Sequence, residues 1–256
     1  MINIPHIRRS KSGVPIFSEQ GLEDIGEKLV SDFCPNVLTK PQEIDIDRFT
    51  EFYMKLPLDF QYLSHCGAYL GMIVYNDTDK LPVYNEETKQ AKYIRARAGT
   101  VIIDKSLLAK NQEHRYRFTL AHEAAGHAVL HWKLYTDNKI PLYDTNSFPW
   151  VQYYKNNKQL IPKEKFKHNI YDLLEWQADT LGSIVLMPRK SIFRILKSNN
   201  IIRKHTSAEI IEKQITKVSN VFNVSTIAAR TRLERLGFIR SSFYNPPKYI
   251  NYSHVG

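Results

Sequence analysis

The chain has 256 residues, 43% of them hydrophobic and 24% charged, with a net charge of +10. That balance excludes a disordered chain and allows a core large enough to stand without disulfides. Basic residues are spread along the sequence rather than gathered in a block, so charge alone selects neither nucleic acid nor an acidic partner.

Cys34 and Cys66 are the two cysteines, and they form no CxxC pair. This predicts a reducing compartment and two buried free thiols rather than a disulfide framework or a thiolate metal site. The N-terminal stretch lacks the apolar region of a secretory signal, and no apolar run approaches the ~18 residues of a membrane span. A soluble cytoplasmic protein with no membrane partner is expected.

Ser18 to Phe33 is predicted as an amphipathic helix. Leu22, Ile25, Leu29, Val30 and Phe33 recur near helical spacing, and Pro35 cannot continue the pattern. A second helix is predicted over Ile44 to Leu56. The pattern then changes: Tyr69 to Tyr75 and Thr100 to Ile103 are β-branched or aromatic runs, with weaker strand signals at Leu81 to Tyr84 and Tyr93 to Ala96. A small antiparallel sheet is the economical reading.

Helix returns over Glu113 to Tyr135. Residues 136–168 are polar, aromatic and interrupted by proline, and are predicted as a long loop or insert. A further helix is expected from Ile170 to Met187, stopped by Pro188. Ser207 to Ile239 reads as helix, tight turn and helix, with an N-cap at Ser225 and a stop at Gly237.

The chemistry lies in His122-Glu-Ala-Ala-Gly-His127. A catalytic zinc takes three protein ligands and leaves a fourth position for water. Two imidazoles on neighbouring turns supply two ligands, and Glu123 is placed to take a proton from the activated water. The familiar spacing is HExxH, whereas this chain carries HExxxH. A four-residue step leaves side chains ~40° apart on an α-helix, but a five-residue step leaves them ~140° apart. A π-bulge absorbs one extra residue, and Gly126 with two alanines offers it little steric resistance. The dipeptidyl peptidase III family carries a similar extra residue in its zinc motif. A competing pair is His127 and His131, four apart on one face of a regular helix. Using that pair forfeits the carboxylate next to the first ligand.

Downstream, Glu175-Trp-Gln-Ala-Asp179 lies on the helix that ends at Pro188. Glu175 completes a set of two histidines and one carboxylate, as in thermolysin. Asp179, one turn further along the same face, is placed to accept the second N–H of a ligating histidine.

Together the segments Arg117 to His131 and Glu175 to Pro188 resemble the ImmA/IrrE family of metallopeptidases. Gly99 to Asp104 is similar to the strand before that family's catalytic helix, and Val221 to Gly237 to its C-terminal helix pair; residues 20–240 are covered. The resemblance implies an α+β fold with a zincin-like, gluzincin-type core and a small antiparallel sheet, followed by a helix-turn-helix-like segment. It implies a metallopeptidase domain over residues 1–200 and a helical segment with tail over 201–256. It further implies zinc on His122, His127 and Glu175, with Glu123 as the base and His131 a motif histidine outside the ligand set. The implied substrate is a regulatory protein such as a helix-turn-helix repressor. The extra alanine departs from the family's HExGH.

Arg230, Arg232 and Arg235 project from the last predicted helix. A packing unit, with Ile227, Leu233 and Leu236 inward and the arginines solvated, is favoured over a DNA reader, which needs more than one basic helix. A DNA-binding regulator, or a module that sequesters a repressor without cutting it, with a structural or vestigial metal site, is the alternative to the enzyme. Tyr153, Tyr154 and Tyr171 are weak candidates for stabilising an oxyanion. His114, His168 and His205 are expected at the surface, and the tail from Ser241 is expected to be loosely ordered.

Overall fold

The computed structural model describes residues 8–9, 14–137, 150–154, 170–197 and 207–239. The expectations for His168, His205 and the tail from Ser241, most of the 136–168 segment, and the side chains of Tyr153, Tyr154 and Tyr171 lie outside the described residues.

Two short strands, β1 (Arg8–Arg9) and β2 (Pro15–Ile16), pair antiparallel ahead of helix α1 (Glu19–Phe33). Ser18 caps α1 by accepting a hydrogen bond from the Gly21 amide at 3.0 Å, which explains why the apolar period starts there. The predicted helix over Ile44 to Leu56 is shorter. A turn of α-helix, α2 (Ile46–Arg48), passes into a π turn over Phe49–Tyr53, in which the Met54 amide reaches back to the Phe49 carbonyl. Pro57 follows, and it disfavours helix at the residue before it.

Six strands come next: β3 (Leu58–Gln61), β4 (Tyr69–Val74), β5 (Thr78–Asn85), β6 (Gln90–Ala96), β7 (Val101–Asp104) and, later in the chain, β8 (Trp150–Tyr154). They do not form one antiparallel sheet. The order β3-β7-β4-β8 makes a four-stranded mixed sheet in which β3 runs parallel to β7, while β5 and β6 form a separate hairpin. β8 lies inside the segment expected to be loop, and it pairs antiparallel with β4 from Trp150↔Val74 onward. Ile73, Val101 and Ile103 join the main apolar cluster, while Met72, Val74 and Ile102 pack with Leu81 and Val83 of the hairpin. Burial on both faces explains why β4 and β7 are unbroken apolar runs rather than alternating ones.

The helices cover the other face of this sheet. After α3 (Glu113–Ala121) the chain turns through a π segment, His122–His127, into α4 (Ala128–Leu130) and α5 (Trp132–Thr136). Helix α6 (Ile170–Leu186) packs along the π segment and against α1. It is followed by α7 (Arg189–Lys197), which begins directly after Pro188 and was not expected from the sequence.

The last two helices are α8 (Ala208–Phe222) and α9 (Thr226–Arg235), joined through Asn223 in the left-handed region at φ 52°. Asparagine tolerates that conformation. Ser225 caps α9, and Gly237 takes φ 73° behind it. Arg117 of α3 donates to the backbone carbonyls of Asn223 at 3.0 Å and Phe222 at 3.3 Å, a cation set against the C-terminus of α8.

Ile215, Val218, Phe222, Ala229 and Leu233 belong to the same apolar cluster as α1, α6 and the sheet. Two expectations for α9 are corrected: Ile227 is 77% exposed, and Arg232 is only 1% exposed, bound to Glu23. Periodicity misplaced them because a buried carboxylate on α1 gives the guanidinium a partner, while Ile227 sits in the first turn, outside the packed stripe. The thiols also differ from expectation: Cys34 is half-buried and Cys66 exposed.

Candidate metal centre

The site is built where the π segment, α6 and β4 meet. The Ala128 amide hydrogen-bonds the Glu123 carbonyl, five residues back, so the extra residue of HExxxH is absorbed by one wide turn. With that turn, His122 and His127 face the same point. Their ring centroids are 4.7 Å apart. Nε2 of His122 lies 3.3 Å from Glu175 Oε2, and Nε2 of His127 lies 3.2 Å from Glu175 Oε1. The three ligand-type atoms all fall within 4.8 Å of one another, a cluster able to hold a metal ion.

Each histidine is braced from behind. His122 Nδ1 meets Asp179 Oδ1 at 2.8 Å, and His127 Nδ1 meets His131 Nδ1 at 2.9 Å. His131 is thus engaged by His127 through Nδ1 and lies outside the cluster of ligand-type atoms. Its other nitrogen is 2.9 Å from Gln177 Oε1, and Gln177 Nε2 donates to the Pro15 carbonyl at 2.8 Å. His114 is exposed, as expected, and its Nε2 lies 3.0 Å from Asn223 Oδ1 at the α8–α9 turn.

His122, Glu123, His127 and His131 are fully buried, whereas the side chains of Glu175 and Asp179 are 31% and 28% exposed. Solvent thus reaches the cluster from the α6 side. Both carboxylate oxygens of Glu123 are buried with no hydrogen-bond partner among the described residues. A buried carboxylate without donors is costly, so this arrangement points to a group that comes from outside the chain.

The electrostatics follow from this crowding. Burial pushes the Glu123 pKa up to about 8, against the opposing pull of His122 and with reinforcement from Glu175 and Asp179. Burial works against a charge on His122, but the hydrogen bonds to Asp179 and Glu175 win and raise it to about 10. Burial would raise Glu175 as well, yet His127 and His122 hold it below the ordinary carboxylate range. Burial lowers His127, and burial together with His127 lowers His131 to about 3. In the metal-free chain a proton on His122 takes the place a cation would fill beside Glu175, so metal binding is coupled to proton release.

Two glycines make the geometry attainable. A Cβ on Gly71 of β4 would lie 2.7 Å from Thr119 Cγ2 and 3.1 Å from Glu123 Oε1, so the strand passes directly over the Glu123 carboxylate. A Cβ on Gly126 would lie 2.6 Å from Ala178 Cα and 2.7 Å from its carbonyl oxygen. Gly126→Ala must therefore push α6, and Glu175 with it, away from the histidines. The expected result is a loss of about 1–3 kcal/mol in urea unfolding together with weaker metal retention. Unchanged stability and metal content would show that the two helices have slack at this crossing.

Sequence reasoning gave no role to Gly71, Gln177 or Tyr75. Tyr75 is buried against Tyr135, with ring centroids 4.5 Å apart, and its hydroxyl lacks a hydrogen bond among the described residues. Gln177 carried one readable signal: a polar side chain on the stripe of Leu174, Ala178 and Leu181, all of which are buried. Compared with models of protein families and with curated proteins, the chain gives no match.

Proposed function

We propose that this chain is a zinc-dependent endopeptidase in which His122, His127 and Glu175 hold the metal and Glu123 is the general base. The observation that carries the reading is a buried, donorless carboxylate, Glu123, set beside a converging pair of imidazoles and a third ligand from another helix. The separations of 3.2 and 3.3 Å between ring nitrogens and Glu175 oxygens suit this metal. Tetrahedral zinc with bonds of about 2.0–2.1 Å has edges of about 3.3 Å. Donors of this kind, two neutral imidazoles and one carboxylate with an open side, are the catalytic rather than the structural zinc pattern.

When bound, zinc supplies Lewis-acid polarisation of a peptide carbonyl and acidifies water. The remaining work falls to the chain. Glu123 takes a proton from the attacking water as its oxygen bonds to the carbonyl carbon, and returns that proton to the amine nitrogen as the C–N bond breaks. Asp179 fixes the ring of His122 through Nδ1, and His131 does the same for His127. The backbone of β4, lying over Glu123 at Gly71, shields the base from bulk water on that side.

The substrate class, a regulatory protein such as a helix-turn-helix repressor, rests on the resemblance of the two motif segments to the ImmA/IrrE family. The DNA-binding alternative draws less support, because the arginines of α9 are engaged: Arg230 with Glu212, Arg232 with Glu23, and Arg235 with Thr180.

Zinc content should be compared in the unmodified chain, His122→Ala and His131→Ala. The unmodified protein is expected to carry about one zinc, His122→Ala to lose it, and His131→Ala to bind about 10- to 100-fold more weakly. No zinc in the unmodified chain after chelator-free purification would overturn the reading. Loss confined to His131→Ala would overturn the ligand set.

A further inference from the structure

The two histidines that face Glu175 are braced by chemically different partners. His122 meets a carboxylate, which can only accept, so the proton on its Nδ1 is assigned directly. His127 meets another imidazole, and a contact between two ring nitrogens does not say which of them carries the proton. That direction is decided two links away.

Gln177 Nε2 lies 2.8 Å from the carbonyl oxygen of Pro15. A carbonyl has no proton to give, so this end of the amide must be the NH₂; the flipped amide would set two lone-pair oxygens against each other. The Oε1 of Gln177 therefore faces His131 Nε2 at 2.9 Å, and an amide oxygen only accepts. His131 Nε2 carries a proton. His131 is fully buried and hydrogen-bonded to a ring and an amide rather than to a carboxylate, so it is neutral. Its Nδ1 is then a lone pair, and it faces His127 Nδ1 at 2.9 Å. His127 Nδ1 must carry the proton, which leaves its Nε2 as a bare lone pair toward Glu175.

We propose that Gln177 is a positioning residue that selects the metal-binding tautomer of His127 through His131, with the Pro15 carbonyl of β2 as the fixed end of the relay. The proposal rests on reading the cluster as a metal centre. Every donor in the series points the same way, from His127 to His131 to Gln177 to Pro15, so no link of the relay sets two protons or two lone pairs against each other; the lone pair of His127 Nε2 and the Glu175 oxygen 3.2 Å from it are left for a cation to bridge. The N-terminal strand pair thereby takes part in the site although it supplies no ligand, since the one thing required of Pro15 is a carbonyl in a fixed place.

The test uses the full chain, zinc as the probe, and the variants Gln177→Met, His131→Ala and their double. Methionine keeps the length of glutamine and removes both hydrogen bonds. The zinc dissociation constant, from competition with a chelator, is expected to rise about 10- to 100-fold in Gln177→Met. The double variant should be no worse than His131→Ala alone, because Gln177 acts through that ring. Nitrogen chemical shifts of ¹⁵N-histidine-labelled unmodified protein should show His131 with its proton on Nε2, a readout that needs no variant to fold. Unchanged zinc affinity in Gln177→Met, or a His131 proton on Nδ1, overturns the relay and leaves the metal centre standing. An unmodified chain that takes up no zinc overturns the metal reading itself, and the selection of a metal-binding tautomer falls with it.

Discussion

Glu123→Gln is expected to cut peptide-bond hydrolysis by about 10²- to 10⁴-fold while leaving zinc content at the unmodified level. Glutamine keeps the shape of the side chain under Gly71 but cannot take a proton, so the effect should fall on turnover rather than on metal or substrate binding. A module that sequesters its partner would behave in the opposite way, with function intact after the change. Full hydrolysis by Glu123→Gln would remove Glu123 from the reaction.

The same substitution has a signature in stability. In the metal-free chain folding raises the Glu123 pKa from 4.5 to about 8, driven first by burial. An acid raised by folding weakens the fold: the cost is absent below pH 4.5, grows as pH rises through that window, and is complete above about 8. Metal-free Glu123→Gln should therefore gain stability relative to the metal-free unmodified chain as pH is raised from about 5 to about 8. Denaturant unfolding at both pH values measures it, and a gap that closes with rising pH would contradict the assigned environment. The metal-free state is required because a nearby cation would itself stabilise the carboxylate.

Arg232→Ala is expected to cost about 3–5 kcal/mol in urea unfolding, the largest stability loss among these changes. The guanidinium binds the Glu23 carboxylate through both terminal nitrogens, Nη2 to Oε2 at 2.8 Å, and Nε donates to the Met187 carbonyl at 3.1 Å. Removing it leaves Glu23 charged in a site where its side chain is only 10% exposed. The pair itself need not be a net gain over apolar packing, so Arg232→Met with Glu23→Leu should recover most of the loss. A loss below about 1 kcal/mol for Arg232→Ala would place the pair among ordinary surface contacts. Because Arg232 joins α9 to α1 and to the end of α6, a change in any DNA-shift assay of this variant would report folding before it reported groove contact.

The sequence was legible where the signal is local. Helix α1 from its serine cap, α6 up to Pro188, the α8–α9 turn and the apolar runs of β4 and β7 are set by periodicity, capping and chain-breaking residues within a few positions of each other. The bulge at HExxxH was also legible, since a five-residue step on an α-helix is geometrically incompatible with one metal and only a wider turn reconciles it. Helix α7 went unread although its apolar period is local; most of what else escaped has its cause far along the chain.

The parallel pairing of β3 with β7 and the recruitment of β8 to β4 depend on partners 40 or more residues away, as the register Leu58↔Val101 illustrates. Arg232 reads as a solvated arginine until Glu23 is brought beside it. Gln177 reads as filler until the Pro15 carbonyl fixes which way its amide points. Residue type and short-range spacing thus determined which side chains could serve as ligands and base. Only the tertiary structure decided which of them meet, which are buried, and which proton each one holds, because hydrogen-bond direction and desolvation belong to neighbours in space rather than in sequence.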